Sequence, residues 1–267
     1  MNIISLSALD LAIASLLVVA LGVASMALRL GLGRQLTISA IRTTAQLLLV
    51  GLVLKVLFEN AHLGWISLMA TVMLLVAGRE VMKRQRRRFR GAWGYGLGTL
   101  SMFVSSFSVT LLVLLVIINN TPWYAPQYAI PLLGMMLGNT MTSVALALDR
   151  LTQSIWQQRA VVDARLALGQ TATEAVRELR RDAMRVGMMP MINAMAAAGI
   201  ISLPGMMTGQ ILAGAPPFEA VKYQILIMFM ITAGTGFATM GAVSVGARHL
   251  FDHRERLRLE RLQHEDQ

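Results

Sequence analysis

The sequence contains no cysteine and only four histidines in 267 residues. Disulfides, zinc–thiolate sites and thiol catalysis are therefore excluded. Charged residues are scarce, at 14%, where a soluble domain carries about 25%. Lysine is rarer still: Lys55, Lys83 and Lys222 stand against 21 arginines. No G-x-x-x-x-G-K-[ST] run occurs, so the chain has no P-loop with which to hold ATP. His62, His249, His253 and His264 all fall outside the apolar runs, and Asp10, Glu59, Asp149 and Glu219 sit near their ends. A proton relay through the membrane, an intramembrane metalloprotease and an intramembrane serine protease each lack the groups they need. No basic stretch precedes the first apolar run, so no secretory leader is read.

What is present is apolar length. Mean hydropathy is +0.60 and 55% of residues are hydrophobic. Between Arg90 and Asp149 there is no charged residue, a gap long enough for two membrane crossings. The expected fold is an all-α polytopic membrane protein of about seven helices. Their approximate bounds are residues 11–28, 36–57, 63–78, 95–118, 127–148, 187–212 (interrupted at Pro204) and 223–247. The net charge of +10 then marks a side of the membrane, and no aromatic-interleaved basic patch points to nucleic acid. With the N-terminus outside, the turn at 29–34, the loop at 79–90, the segment at 149–185 and the tail from Arg248 all lie in the cytoplasm. Together they hold 21 of the 24 basic residues. The C-terminus is then inside too. Residues 1–247 read as one membrane domain, and 248–267 as a short, charged, solvated helical tail.

The one sizeable polar device is the segment 149–185, which reads as helix, glycine, helix. Leu151, Ile155, Val162 and Leu166 share a face, Gly169 ends the first helix, and Thr171 with Glu174 forms a capping box for the second. Ala172, Val176, Leu179, Ala183 and Val186 make the next apolar stripe. Such an elbow can push on, or be pushed by, a soluble partner.

Inside the membrane two patterns repeat. Gly134-Met135-Met136-Leu137-Gly138-Asn139 follows Pro131, and Gly205-Met206-Met207-Thr208-Gly209-Gln210 follows Pro204. Glycines four apart let helices approach closely. Asn139 and Gln210 are carboxamides that are costly against lipid. In the topology above the two segments sit where they can meet on the extracytoplasmic side of a pathway. The methionines read equally well as gap-fillers, the chain having 19 of them. Arg42 and Gln46 form an i, i+4 pair in the second span, with Arg42 close enough to the inner end to snorkel. The run Arg86-Arg87-Arg88 reads as a topology determinant and lipid-headgroup contact.

The run from Gly199 through Ser202-Leu203-Pro204-Gly205-Met206-Met207 to Gly214, then Ala220 to Ile225, closely resembles the FetB-type ABC transporter permeases. Ile130-Pro131, Gly134-Met135, Gly138-Asn139 and Met141 resemble that family's fifth span, and Arg42, Gln46, Val50-Gly51 and Leu54-Lys55 its second. These are bacterial proteins linked to iron export and related to plant half-transporters of aluminium tolerance. The likeness covers roughly residues 35–245. The elbow also resembles the coupling loop of ABC permeases at Asp163-Ala164, Gly169 and Pro190, departing from it at Arg165 and Gln170.

The resemblance implies a multi-pass inner-membrane permease, not itself an enzyme, that forms a homodimer on two separately encoded cytoplasmic ATPase subunits. ATP and Mg would bind those partners, and this chain would bind no cofactor or metal of its own. Asp163, Ala164, Gly169, Thr171 and Glu174 would couple to the ATPase. Asn139, Gln210, Met135, Met136, Met141, Met206 and Met207 would line the pathway, with Arg42 and Gln46 as intramembrane polar groups. Gly134, Gly138, Gly205, Gly209 and Pro204 would shape helix packing. The implied cargo is iron or another metal, free or chelated, although methionines and amides are poor iron ligands. A secondary carrier or channel for a small solute, and a membrane scaffold docking a cytoplasmic protein, remain alternatives.

Overall fold

The structure is a computed structural model that describes residues 7–59 and 62–264. The chain packs as two units. One holds residues 1–62 with 212–214, and the other holds residues 63–211 with 215–267.

The first unit is a helical hairpin. Ser7 and Asp10 form a capping box that starts α1 (Ala8–Ala27). Arg29 and Gly31 take positive φ (+52° and +71°) and turn the chain into α2 (Gly33–Glu59). Most large apolar side chains of this hairpin are exposed, Leu17 and Leu52 at 76% and 70%. A surface of that kind is tolerable only against hydrocarbon or another chain. Arg42 and Gln46 are exposed on α2.

The second unit begins with α3 (Leu63–Lys83), a short strand β1 (Arg87–Phe89) and α4 (Gly91–Met102). Helix α4 runs on through a π-helical turn at Phe103–Phe107, α5 (Ser108–Leu112) and a second π turn at Val113–Ile118. Then follow α6 (Pro126–Gln157), α7 (Arg159–Ala167), α8 (Ala172–Ala175), α9 (Arg177–Ala197), α10 (Gly205–Leu212) and α11 (Pro217–His249), and finally strand β2 (Leu262–His264). Pro126 and Pro217 stand at the first positions of α6 and α11, where a missing N–H costs nothing.

Among the described residues six helical segments are long and apolar enough to cross a membrane: Leu9–Ala27, Gly33–Glu59, Leu63–Lys83, Gly91–Ile118, Pro126–Gln157 and Pro217–His249. The span expected at 187–212 is not among them. Helix α9 starts in the charged elbow and runs through Pro190 to Ala197. Its apolar part, from Gly187, is about 16 Å long at ~1.5 Å per residue, against a hydrocarbon core of about 30 Å. Gly199 (φ +87°) and Pro204 then break the helix, and Ala198 bridges Ser202 before α10 begins.

The core lies where α6, α9 and α11 meet, with α3 and α4 packed on α6 and on one another. Helices approach this closely because glycine stands at the crossing. A Cβ on Gly187 of α9 would lie 2.6 Å from Ala147 Cβ, 2.8 Å from Ser143 O and 3.0 Å from Thr239 Cγ2. Gly234 of α11 receives the fully buried Met136 in the same way.

The tail is not the solvated helix expected. Phe251 bridges Leu257, and β2 pairs antiparallel with β1 so that Leu262 faces Phe89. Leu250, Phe251 and Leu262 are buried. The chain leaves the helix because Asp252 accepts the backbone N–H groups of Arg254 and Arg256 and Glu255 takes φ +60°, so its apolar residues line the underside of a folded strap.

Replacement of Gly187 by alanine should drive the three helices apart and cost roughly 1–3 kcal/mol, the usual range for overpacking. Replacement of Gly209, which has nothing within 4 Å of its Cβ position, should cost little. Thermal unfolding of the detergent-purified chain checks the contrast; equal melting temperatures for the two variants would refute the close crossing.

Candidate functional site: the elbow and the membrane seam

The elbow is built by helix ends. Helix α6 stops at Gln157, and Gln158, with φ −102° and ψ 22°, bends the chain into α7. Gly169 takes φ +86°, a conformation that side chains rarely tolerate, and closes α7. The Thr171 N–H donates to Glu174 Oε2 (2.9 Å), while the Glu174 N–H donates to Thr171 Oγ1 (3.4 Å), so the expected capping box is present. The backbone bond from Thr171, with help from its hydroxyl, holds the Glu174 carboxyl below its usual range.

The first stripe packs inward as expected: Leu151, Ile155 and Val162 are buried and Leu166 is partly so. In the second, Val176 and Ala183 are buried. The helix is interrupted once more than expected, at Val176, which separates α8 from α9. Outward, Asp163, Ala164, Leu168, Gly169 and Gln170 are exposed, Leu168 at 84%. Arg165 explains one departure from the coupling-loop pattern. Its Nη1 donates to Ala175 O (3.1 Å), so it caps the far end of α8 and ties the two arms of the elbow together.

The tail completes this platform. Glu255 accepts the Ala172 N–H at the start of α8. Asp252, whose side chain is only 6% exposed, accepts from the backbone N–H groups of Arg254 and Arg256 (2.9 Å each), from Arg256 Nε (2.9 Å) and from Arg258 Nε (3.0 Å). The Arg256 backbone bond comes first among the causes that hold its carboxyl far below the usual carboxylate range, against the opposing effect of burial. Arg261 Nη1 donates to the His249 and Phe251 carbonyls, and His249 stacks on Trp93 with centroids 3.5 Å apart. None of these tail residues was singled out from sequence.

In the membrane-spanning part the two G-M-M-x-G segments are not brought together. Helix α10 makes no extended packing contact with α6 among the described residues, because the break at 198–204 separates it from α9. Met136 is fully buried against Gly234, and Met135, Met141, Met206 and Met207 are half-buried. Asn139 is exposed and its Nδ2 folds back onto Met135 O (2.8 Å). Gln210 Oε1 is enclosed and has no protein partner among the described residues. Of the four motif glycines only Gly134 meets a neighbour, the Met73 methyl at 3.2 Å; Gly138, Gly205 and Gly209 open onto free space. The glycines that do set helix packing, Gly78, Gly187 and Gly234 among them, lie outside both motifs.

A polar seam that sequence reading missed runs between the helices instead. Thr140 and Ser143 of α6, Thr235 and Thr239 of α11, and Ser105, Ser106 and Thr110 of the α4–α5 segment are all buried. Thr140 and Thr235 approach to 3.4 Å, and Ser105 Oγ donates to Gly234 O (2.5 Å). The hydroxyls of Ser106, Thr110 and Thr239 have no protein partner among the described residues. Hydroxyls three or four residues apart on three separate spans were the readable signal. No group of three His, Asp or Glu placed to hold a metal occurs among the described residues.

The family model of UPF0014, described as an uncharacterised protein family, matches residues 8–251. A UPF0014 membrane protein of Synechocystis is 39% identical over 228 residues, covering 85% of this chain and 87% of that protein. Protein ALUMINUM SENSITIVE 3 of Arabidopsis thaliana is 36% identical over 232 residues, covering 86% and 82%. The probable iron export permease protein FetB of Escherichia coli is 31% identical over 255 residues, 93% of each chain. No solved structure matches.

A carboxylate with a depressed pKa contributes its stabilisation above the unfolded value and loses it as pH falls through the folded one. The Asp252 strap should therefore stay folded well below the ordinary carboxylate range, whereas Asp252→Asn should release it at neutral pH. Tryptic cleavage after Arg254, Arg256 and Arg258 reads this out; equal resistance in variant and parent would count against the strap.

Proposed function

The chain belongs to the UPF0014 family of membrane proteins, and on that premise we propose that it is the membrane-spanning permease subunit of an ABC transporter. Two copies pair across the bilayer of the inner membrane and rest on two cytoplasmic ATPase subunits, which bind the ATP and Mg. The cargo is iron or another metal, moved outward, and the relative named as a probable iron export permease supports this choice.

The observation that carries the reading is the elbow. It is a rigid helix–glycine–helix knob with Leu168 and Gly169 fully presented, and it is continuous with α6 on one side and α9 on the other. A knob of this kind fits a cleft on a soluble motor. Closure of the motor displaces α7 and α8, and α9 carries that displacement to the crossing at Gly187. The helices it reaches there carry the buried hydroxyls of Ser143 and Thr239, which favour a hydrated or chelated ion over a bare one. Hydroxyls and thioethers are weak ligands for iron, and they do not strip it of water or chelator.

Co-reconstitution of the chain with its ATPase in proteoliposomes tests the proposal. Metal should stimulate ATP hydrolysis, and Gly169→Val, which places a β-branched residue at φ +86°, should abolish most of that stimulation while the permease stays folded. Flux through the permease alone, without nucleotide, would move the chain to the channel or carrier class. Gln210→Leu should lower transport severalfold without loss of the dimer; unaltered transport would leave Gln210 as a packing residue.

A further inference from the structure

Between β1, the start of α7 and the end of the tail lies a cleft of about 500 Å³, lined by Arg87, Trp156, Arg159, Leu259, Glu260 and Leu262. The Arg87 guanidinium carbon stands 3.9 Å from the Trp156 ring centroid, and that of Arg159 stands 5.3 Å from it. Neither arginine makes an ion pair with a carboxylate among the described residues. The one acid in the lining, Glu260, is engaged elsewhere. Its carboxylate pairs with Arg258 Nη1 (3.2 Å) and its carbonyl accepts from Arg90 Nη1 (3.4 Å). The cleft thus holds two cations with their positions set by an indole face.

Arg87 is fixed from behind. Its strand pairs with β2, and its carbonyl accepts the hydroxyl of Thr152, which is fully buried on α6. Depth follows from the same contact. Leu148 ends the charge-free run, so Thr152 lies roughly 6 Å beyond it along the helix. The headgroup layer extends roughly 5–7 Å beyond the hydrocarbon. Arg87 is therefore at headgroup level, and Trp156, one turn further along α6 and about 12 Å beyond the hydrocarbon, stands on the cytoplasmic side of that layer.

We infer that this cleft binds a phosphate group, supplied by the headgroup of an anionic phospholipid in the adjoining leaflet. The two guanidinium groups donate to the phosphate oxygens. Occupancy ties β1, α6, α7 and the tail strap together, so lipid composition bears directly on the elbow. This inference requires only that the chain sits in a bilayer, and it is independent of what the chain transports.

The test uses the full chain in detergent, titrated with short-chain phosphatidylglycerol, phosphatidylcholine of the same chain length, and inorganic phosphate. Unfolding temperature gives the apparent affinity. Phosphatidylglycerol should bind at least tenfold more tightly than phosphatidylcholine. Arg87→Gln and Arg159→Gln should each weaken it about fivefold, the share of one basic residue near a charged membrane surface, while Arg177→Gln on the exposed side of α9 changes nothing. In the unmodified chain the preference should fall as salt rises, a readout that needs no variant to fold. Equal affinity for the two lipids, a preference indifferent to salt, or a folded double variant with parental affinity would each overturn the assignment. Inorganic phosphate binding as tightly as phosphatidylglycerol would overturn the lipid source in favour of a soluble phosphate compound.

Discussion

The crossing of α6, α9 and α11 at Gly187 is the constraint on which the rest of the structure depends. With no side chain there, α9 lies against the Ser143 carbonyl of α6 and the Thr239 methyl of α11 at once. Lipid offers no hydrophobic force to hold helices together, so contact distance has to supply it. The consequence is mechanical. Helix α9 begins among the charges of the elbow and ends inside the apolar body, so it is a short rod seated in a tight socket. A displacement at its charged end has few ways to dissipate before it reaches the two longest helices of the unit.

The charged end is stiffened by polar bonds in place of apolar burial. Arg165 ties α7 to α8, the Thr171–Glu174 box closes the turn, the Asp252 knot folds the tail on itself, and Glu255 joins the tail to the start of α8. Exposed ion pairs such as Arg150–Asp182 (2.6 Å) contribute little by themselves. Bonds from backbone N–H groups to a nearly buried carboxylate contribute more, since neither partner retains water. An elbow assembled in this way is tied together along its length by bonds that do not depend on apolar burial.

The apolar interior is polar at selected points only. Ser106, Thr110 and Thr239 carry hydroxyls that no group among the described residues satisfies, at a cost of about 1–3 kcal/mol each when dry. Their grouping between three helices, with Thr140 and Thr235 paired nearby, is the arrangement expected of a route that admits water or a hydrated solute. The methionines of the fifth span contribute differently: Met136 fills the notch at Gly234, a packing role that the flexible thioether suits.

Much was legible in the sequence because it depends on neighbours along the chain. The spans at 11–28, 36–57, 63–78, 95–118, 127–148 and 223–247 follow from unbroken apolar length, which hydrocarbon demands of any helix that crosses it. The capping box at Thr171 and the left-handed Gly169 are local stereochemistry, legible at three-residue range. The family membership lay in the block around Pro204. What depended on distant residues stayed out of reach. The strap formed by the tail needs β1, more than 170 residues earlier, as its partner. The failure of 187–212 to cross as one helix came from counting apolar residues on both sides of a break that Gly199 and Pro204 impose. Gly187 and Gly234, two of the glycines that bring helices together, carry no motif, since close approach is a property of two helices and is written in neither alone. Composition and periodicity thus determined that this is a helical membrane protein with a charged elbow. Which residues touch across the helices was decided by packing, because in a bilayer burial no longer separates the inside of the protein from its surroundings.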